Sequence, residues 1–78
     1  MEMKEFIQNF AEQFEDTDVS VFTAETKFRE LPEWSSLMAL AVMAMVDEEY
    51  DVQLPAMEMK QTNTLQELFD LVSSKLKS

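Results

Sequence analysis

Apolar residues recur at helical spacing near the start of the chain. From Met3 to Phe14 they fall at intervals of three and four residues, and polar residues fill the positions between them. Such a stripe is typical of a helix that packs one face against a core, and it predicts an amphipathic helix over about 3–15. The short polar side chains of 16–18 compete for backbone hydrogen bonds and end it.

A second apolar segment has no polar interruption. It covers Leu37–Val46 and passes into an acidic stretch that ends at Asp51. Serine is a favoured residue just before a helix, and Pro32 suits the non-helical chain that leads up to it. We therefore predict a second helix that begins at Ser35 or Ser36.

Two further patterns predict the remaining helices. Pro55 marks a new start, and we expect about one helical turn over 56–60. Thr64-Leu65-Gln66-Glu67 has the form of a capping box, which opens a last helix. Lys75 and Lys77 near its end suit the helix dipole. The apolar stripe of this helix consists of Leu65, Leu68, Phe69, Val72 and Leu76.

A long connection, from about 16 to 34, separates the first two helices. It contains several apolar residues, which we expect to lie against the core. No stretch of the chain longer than 18–22 has a strand pattern. The prediction is an all-α, four-helix bundle with a long first loop and a short third helix, built as a single domain over residues 1–78. The apolar residues of the loop are Val19, Val21, Phe22, Phe28 and Leu31.

Composition excludes several classes of function. The chain has no cysteine, no histidine and no glycine. These absences exclude a disulfide framework, a thiolate or imidazole metal site, a Ser-His or Cys-His catalytic pair, and a glycine-rich phosphate loop. Calcium is not expected either, because the only calcium-like spacing, from Asp16, has Val21 where glycine is needed and Lys27 where glutamate is needed. A stand-alone enzyme is therefore not expected.

Charge and hydropathy limit the partners and the location. The net charge of −10 would repel a phosphate backbone, so nucleic-acid binding is not expected. The N-terminus is charged and lacks the apolar region of a signal peptide. The longest apolar run, Leu37–Val46, is well short of the ~20 residues that span a bilayer. We therefore expect a cytoplasmic protein with no membrane span.

The second helix carries two unusual features. It is apolar on all sides. This indicates either that the helix is deeply buried in the bundle or that its outer face docks against a partner. The outer residues would be Leu37, Leu40, Ala41 and Ala44. It also lies in a segment that has no basic residue between Arg29 and Lys60. Together, an apolar outer face and local acidity predict a surface for basic partners. The acidic residues of the segment are Glu30, Glu33, Asp47, Glu48, Glu49, Asp51 and Glu58.

Ser36 is a candidate modification site. A serine at a helix start is most often only a cap, and this one cannot act as a nucleophile through histidine because the chain has none. Its hydroxyl could still accept a group that another enzyme transfers. A phosphodiester there would lie at the helix N-terminus, where free N–H groups and the positive end of the dipole favour an anion.

The residues around Ser36 resemble those of the acyl carrier proteins. Ser36-Leu37, the apolar helix that follows, the acidic segment Asp47–Val52 and Leu54-Pro55 match that family in spacing without a gap. The resemblance covers essentially the whole chain. It implies that Ser36 carries 4'-phosphopantetheine, whose terminal thiol holds acyl groups as thioesters. Ser35 then stands at the motif position and caps the helix.

The resemblance also implies partners and a docking surface. A phosphopantetheinyl transferase would modify the chain, and acyl synthases and transferases with basic docking surfaces would use it as a monomeric carrier. The alternative is an unmodified, carrier-like module that acts only in protein interaction. The residues that would contact partners are Leu37, Met38, Leu40, Ala41, Asp47 and Glu48.

The chain departs from the usual family pattern at four positions. Ser35 replaces the motif aspartate, and Trp34 stands where a small residue is common. Met38 and Ala41 occupy helix positions that are often acidic. These departures favour a carrier dedicated to a specialised fatty-acid or polyketide-type pathway.

Overall fold

The computed structural model describes residues 2–76 and is built from helices joined by loops. No strand occurs among these residues, and the long first connection and short third helix are as predicted. Two short 3₁₀ helices, η1 and η2, interrupt that connection. The helices are α1 (Met3–Ala11), η1 (Val19–Val21), η2 (Phe28–Glu30), α2 (Ser36–Tyr50), α3 (Ala56–Met59) and α4 (Leu65–Leu76).

Helix α1 is shorter than its apolar stripe predicts. It ends at Ala11 rather than near residue 15, because the chain tightens into a turn there. The backbone N–H groups of Gln13 and Phe14 donate to the carbonyls of Phe10 and Ala11 at 3.1 and 3.0 Å, each three residues back. Phe14 remains buried, so the apolar stripe continues past the last helical residue.

Helix α2 begins as predicted and ends in an unusual conformation. Ser35 is its N-cap, and the hydroxyl of Ser35 accepts from the Met38 N–H at 3.2 Å. The residue that follows the helix, Asp51, is its C-cap and lies in the left-handed region, with φ 53° and ψ 42°. Glycine is the usual residue for this conformation, but aspartate is among the few others that tolerate it. The last turn of α2 contains no basic residue to offset its acidic side chains.

The inner face of α2 contains one buried residue that the sequence pattern does not predict. We expect Ala39, Val42, Met43, Val46 and Tyr50 to face inward. Val42 and Val46 are fully buried as predicted, and Ala39, Met43 and Tyr50 are half-buried. Met45 is also buried, although the pattern did not select it. A helix that is apolar all round gives no periodic signal, so the sequence alone could not choose its inner face.

Helix α4 begins with the predicted capping box. The Glu67 N–H donates to the Thr64 hydroxyl at 3.2 Å, and the Glu67 carboxylate accepts from the N–H groups of Asn63 and Thr64 at 2.8 and 3.0 Å. These backbone donors hold the pKa of Glu67 below its ordinary value. Near the other end, Lys75 pairs with Glu58 of α3 at 2.9 Å. Lys77 lies outside the described residues.

The aromatic side chains form one connected cluster in the core. Phe10 of α1 is at its centre, and its ring lies 5.3 to 6.5 Å from the rings of Phe6, Phe14, Phe22, Phe28 and Trp34. Phe6 extends the cluster to Tyr50 of α2 and Phe69 of α4. Contacts of this kind stabilise a core beyond the apolar area that they bury. The cluster thus joins α1 to the long loop, to α2 and to α4.

The long loop is packed, but only in part as predicted. Phe22 and Phe28 are buried and Leu31 is half-buried against the core, whereas Val19 and Val21 of η1 are exposed. The middle of the loop is bonded to α4, where the Gln66 N–H donates to the Ala24 carbonyl at 2.8 Å. We conclude that two aromatic anchors and backbone bonds, not the full set of apolar residues, fix the loop.

Glu33 ties the segment before α2 to the first part of the long loop. Its carboxylate accepts from the Thr17 hydroxyl and from the Asp16 N–H, the latter at 3.1 and 3.2 Å. The Thr17 hydroxyl is the main cause that lowers the pKa of Glu33 below its ordinary 4.5, and the backbone N–H of Asp16 adds to it. This tether holds the chain three residues before Ser36.

Replacing Phe28 by alanine should destabilise the domain severely. The ring of Phe28 is fully buried against Phe10 and Trp34, at 5.4 and 5.0 Å. Loss of such a ring costs about 3–5 kcal/mol of unfolding free energy, a large part of the ~5–15 kcal/mol that a domain has. Thermal unfolding followed by circular dichroism should show a greatly lowered or absent transition. Val19→Ala is the control, and an equal effect of both changes would contradict a packed loop.

Replacing Glu33 by glutamine should change the stability of the domain in acid. Because the folded-state pKa of Glu33 is lowered, its ionised form stabilises the fold above the ordinary value of 4.5, and that contribution is lost as the pH falls through the folded-state pKa. Chemical unfolding of Glu33→Gln at pH 7 and at pH 3 should show a smaller difference than the wild type. Glu30→Gln, an exposed neighbour, is the control. Equal pH dependence in Glu33→Gln and wild type would show that the tether is unimportant.

Candidate functional site

Two serines open α2, and only one has its hydroxyl engaged. Ser35 uses its side chain to cap the helix. Ser36 is the first helical residue and is exposed, and its hydroxyl makes no hydrogen bond to any other residue within 2–76. The backbone at this point carries the unpaired N–H groups of a helix N-terminus. Ser36 is therefore an accessible hydroxyl in a region of positive potential.

Ser36 lies on the wall of a cavity between α2 and α3. The cavity has a volume of about 260 Å³. Its apolar walls come from α2, which contributes positions one turn apart, and from α3. It thus provides space next to the serine for a flexible attached group. The lining residues are Arg29, Trp34, Ser35, Ser36, Ala39, Met43, Ala56, Met59 and Lys60.

The charge of this cavity is opposite to that of the protein. The chain has a net charge of −10, yet the cavity is lined by Arg29 and Lys60 and by no carboxylate. The two residues are linked, because the Arg29 guanidinium donates to the Lys60 carbonyl at 2.5 Å. This bond fixes the arginine over the C-terminal end of α3, where carbonyl groups attract a cation.

The outer face of α2 exposes two leucines. Leu37 and Leu40 have 79% and 59% of their surface exposed. Ala44 continues this face one turn further on, and it is exposed too. Single exposed leucines are ordinary, but a row of apolar residues along one helix face is typical of a docking surface. This row, from Leu37 to Ala44, is called the apolar strip below.

The other predicted docking residues differ in their exposure. Met38 is half-buried and packs against the core, so it is less available than its sequence position suggests. Ala41 is half-buried on the side of α2 that faces α1. Asp47 and Glu48 are exposed at the far end of the helix. The structure thus brings Leu37, Leu40, Asp47 and Glu48 onto one accessible surface and sets Met38 and Ala41 at its edge.

A second cavity, of about 300 Å³, lies between α1 and α2. Three carboxylates line it and no cation does, so its charge is opposite to that of the cavity at Ser36. Its floor is apolar, formed by alanines of α2 and by Met45. A cavity of this kind suits a side chain with a cationic end and an aliphatic stem. It is lined by Asn9, Glu12, Gln13, Ala41, Ala44, Met45, Glu48 and Glu49.

Sequence reasoning missed part of the site. The sequence analysis names Arg29 and Lys60 only as the limits of a segment without basic residues. The fold brings both of them to the cavity at Ser36. Met57 of α3 was not selected and is 78% exposed. The charge pattern was the one available indication, since two cations at the ends of a long segment come close when those ends fold together. The pattern alone could not establish that the two ends do fold together.

No group of carboxylates within residues 2–76 could hold a metal ion. The titratable groups with shifted pKa values serve local structure. Asp18 accepts from the Ser20 N–H, which lowers the pKa of Asp18. Burial raises the pKa of Tyr50, whose hydroxyl accepts from Asn9 at 2.9 Å.

No helix among residues 2–76 is both long and apolar enough to cross a bilayer.

Comparison with known proteins agrees with this geometry. The family described as "Phosphopantetheine attachment site" matches residues 5–72, which is most of the chain. The chain is also similar to polyketide-8 synthase acyl carrier protein 2 of Streptomyces avermitilis, with 33% identity over 73 residues, covering 94% of this chain and 84% of the relative. No solved structure matches it significantly. The chain therefore belongs to the phosphopantetheine-attachment family, whose domains bear 4'-phosphopantetheine, and it is an acyl carrier.

Proposed function

We propose that Ser36 is the attachment residue of the prosthetic group and that residues 1–78 form one carrier domain. The phosphate of 4'-phosphopantetheine is joined to the Ser36 oxygen, and the thiol at the other end of the arm holds the acyl group as a thioester. The chain has no cysteine, so the thiol of the arm is the only one in the loaded protein. Partner enzymes supply the catalytic residues, and the carrier itself has none.

One observation favours Ser36 over its neighbour. The Ser35 hydroxyl is occupied by the Met38 N–H, whereas the Ser36 hydroxyl is exposed and makes no hydrogen bond within the described residues. A transferase needs an accessible oxygen, and its product is an anion, which the helix N-terminus stabilises. Substitution of the motif aspartate by Ser35 keeps the cap and removes a negative charge beside the new phosphodiester.

The second part of the proposal concerns partners. A phosphopantetheinyl transferase, acyl synthases and acyl transferases dock on the apolar strip and on the acidic end of α2. Leu37 and Leu40 supply exposed apolar area, and Asp47 and Glu48 supply charge for basic residues of the partner. Met38 and Ala41 contribute at the edge. Such charge complementarity speeds association and orients the partner.

The similarity to a polyketide synthase carrier supports a polyketide-type or related specialised pathway. The lack of acids at Met38 and Ala41 supports the same proposal, since a partner that presents cations along all of α2 would meet apolar side chains there. We further propose that the carrier is a monomer located in the cytoplasm. An unmodified interaction module remains the competing function, and it is not favoured by the family match.

The attachment site can be tested directly. Incubation with coenzyme A, magnesium and a phosphopantetheinyl transferase should add one phosphopantetheine, which intact-mass measurement detects. Ser36→Ala should abolish the addition because alanine has no side-chain oxygen to accept the group. Ser35→Ala, the matched control, should still be modified, although loss of the cap lowers stability by ~1 kcal/mol. A modified peptide that carries the group on Ser35 would contradict the assignment, and a wild type that is never modified would favour the interaction module.

The docking surface can be tested by charge reversal. In the double variant Asp47→Lys, Glu48→Lys, the rate of acyl transfer by the cognate synthase at low salt should fall roughly tenfold or more, because basic residues of the partner lose their counter-charges. Most of the loss should disappear at high salt, where exposed charges are screened. The double variant Glu15→Lys, Glu25→Lys changes the net charge equally on exposed loop residues and should transfer near the wild-type rate. Equal loss in both variants would show that net charge, not this surface, controls docking.

A further inference from the structure

The cavity beside Ser36 concentrates positive charge in an acidic protein. Two of its lining residues, Arg29 and Lys60, are cations, although the chain has only 6 basic residues against 16 acidic ones. The second cavity, on the other side of α2, is lined only by acids among its charged residues. The two sides of α2 therefore offer opposite charges to anything bound next to them.

Among the described residues, the cations at the cavity form no ion pair. Within residues 2–76, neither Arg29 nor Lys60 has a carboxylate within salt-bridge distance. Within the part of the chain that the structure describes, the Arg29 guanidinium donates to the Lys60 carbonyl alone, which orients the side chain and leaves most of its N–H donors without a protein acceptor there. A guanidinium held in this way is prearranged to bind oxyanions such as phosphate or carboxylate, and a nearby ammonium adds to the attraction.

The same cavity wall contains the proposed attachment residue, Ser36. A group attached to the Ser36 oxygen is held next to the two cations at a high effective concentration. The weak attraction that exposed cations exert is then enough to hold the tethered group. The same attraction would not hold a free anion at cellular concentrations. We propose that Arg29 and Lys60 form an anion subsite that binds an oxyanion of the group tethered at Ser36. This inference rests on the proposed function of Ser36.

The oxyanion can come from two parts of the tethered group. One is the phosphodiester that joins the arm to Ser36, which is present in every loaded form. The other is a carboxylate on the acyl cargo, present only when the cargo is derived from a dicarboxylic acid. The apolar walls of the cavity, such as Met43 and Met59, accommodate the uncharged atoms of the group in either case.

The experiment compares thermal stability before and after loading, at low salt. Apo protein, phosphopantetheinyl protein, and protein loaded with butyryl or succinyl groups are first verified by mass. If the phosphodiester is bound, loading alone should raise the melting temperature, and the double variant Arg29→Gln, Lys60→Gln should lose the rise. If the cargo carboxylate is bound, only the succinyl form should gain over the butyryl form, and the double variant should lose that gain. In nuclear magnetic resonance spectra, the bound form should also shift the Arg29 Nε–H and the Lys60 amide.

Three controls separate the possible causes. Lys27→Gln removes a cation of the same loop that does not line the cavity, and it should behave as wild type. Arg29→Lys keeps the charge and should retain a part of the effect. The rise should shrink at high salt. No change on loading, or an equal change in the double variant and wild type, would overturn the subsite.

Failure of the proposed function would be distinguishable. If mass measurement shows that Ser36 is not modified, the attachment assignment fails, and the subsite is then decided on apo protein by titration with free 4'-phosphopantetheine against uncharged pantetheine. Saturable shifts of Lys60 with the phosphate form alone would support it. Equal or absent shifts with both compounds would overturn it.

Discussion

The packing of Trp34 against Phe10 and Phe14 is the interaction on which the site depends most. Its ring lies 6.4 Å from each of these rings and nearly parallel to them, at 10° and 20°. Trp34 directly precedes the two serines that open α2. Because the connection before α2 is long and no disulfide fixes it, this contact holds the first residue of α2 in place against α1. Glu33 adds a polar tether one residue earlier, so Ser36 projects from a fixed point although it is exposed.

Helix α2 separates two regions with opposite tasks. On one side, the serine and the cations Arg29 and Lys60 share a cavity suited to an attached anion. On the outer side and at its far end, leucines and acids form a surface suited to basic proteins. Under the proposed docking, a basic partner would be attracted to the far end of α2 and repelled by the cations near Ser36.

The sequence predicted the elements better than the contacts between them. Helix starts were predictable because they depend on local chemistry, as the Ser35 cap and the Thr64 capping box show. The end of α1 was not predictable, because Phe14 continues the apolar stripe after the backbone has left the helix. The serine and the acidic end of α2 could be selected from spacing. The pairing of Arg29 with Lys60 could not, since it joins residues 31 positions apart through tertiary folding alone.

The position of Trp34 also makes the protein a reporter of its own state. It is the only tryptophan in the chain, and it both stacks in the aromatic core and lines the cavity at Ser36. Indole emission responds to the polarity of its surroundings and to nearby quenching groups. The tryptophan fluorescence of this carrier therefore arises from one residue that contacts both the folded core and the cavity beside Ser36. Unfolding of the loop and occupation of the cavity can be followed optically, without a label.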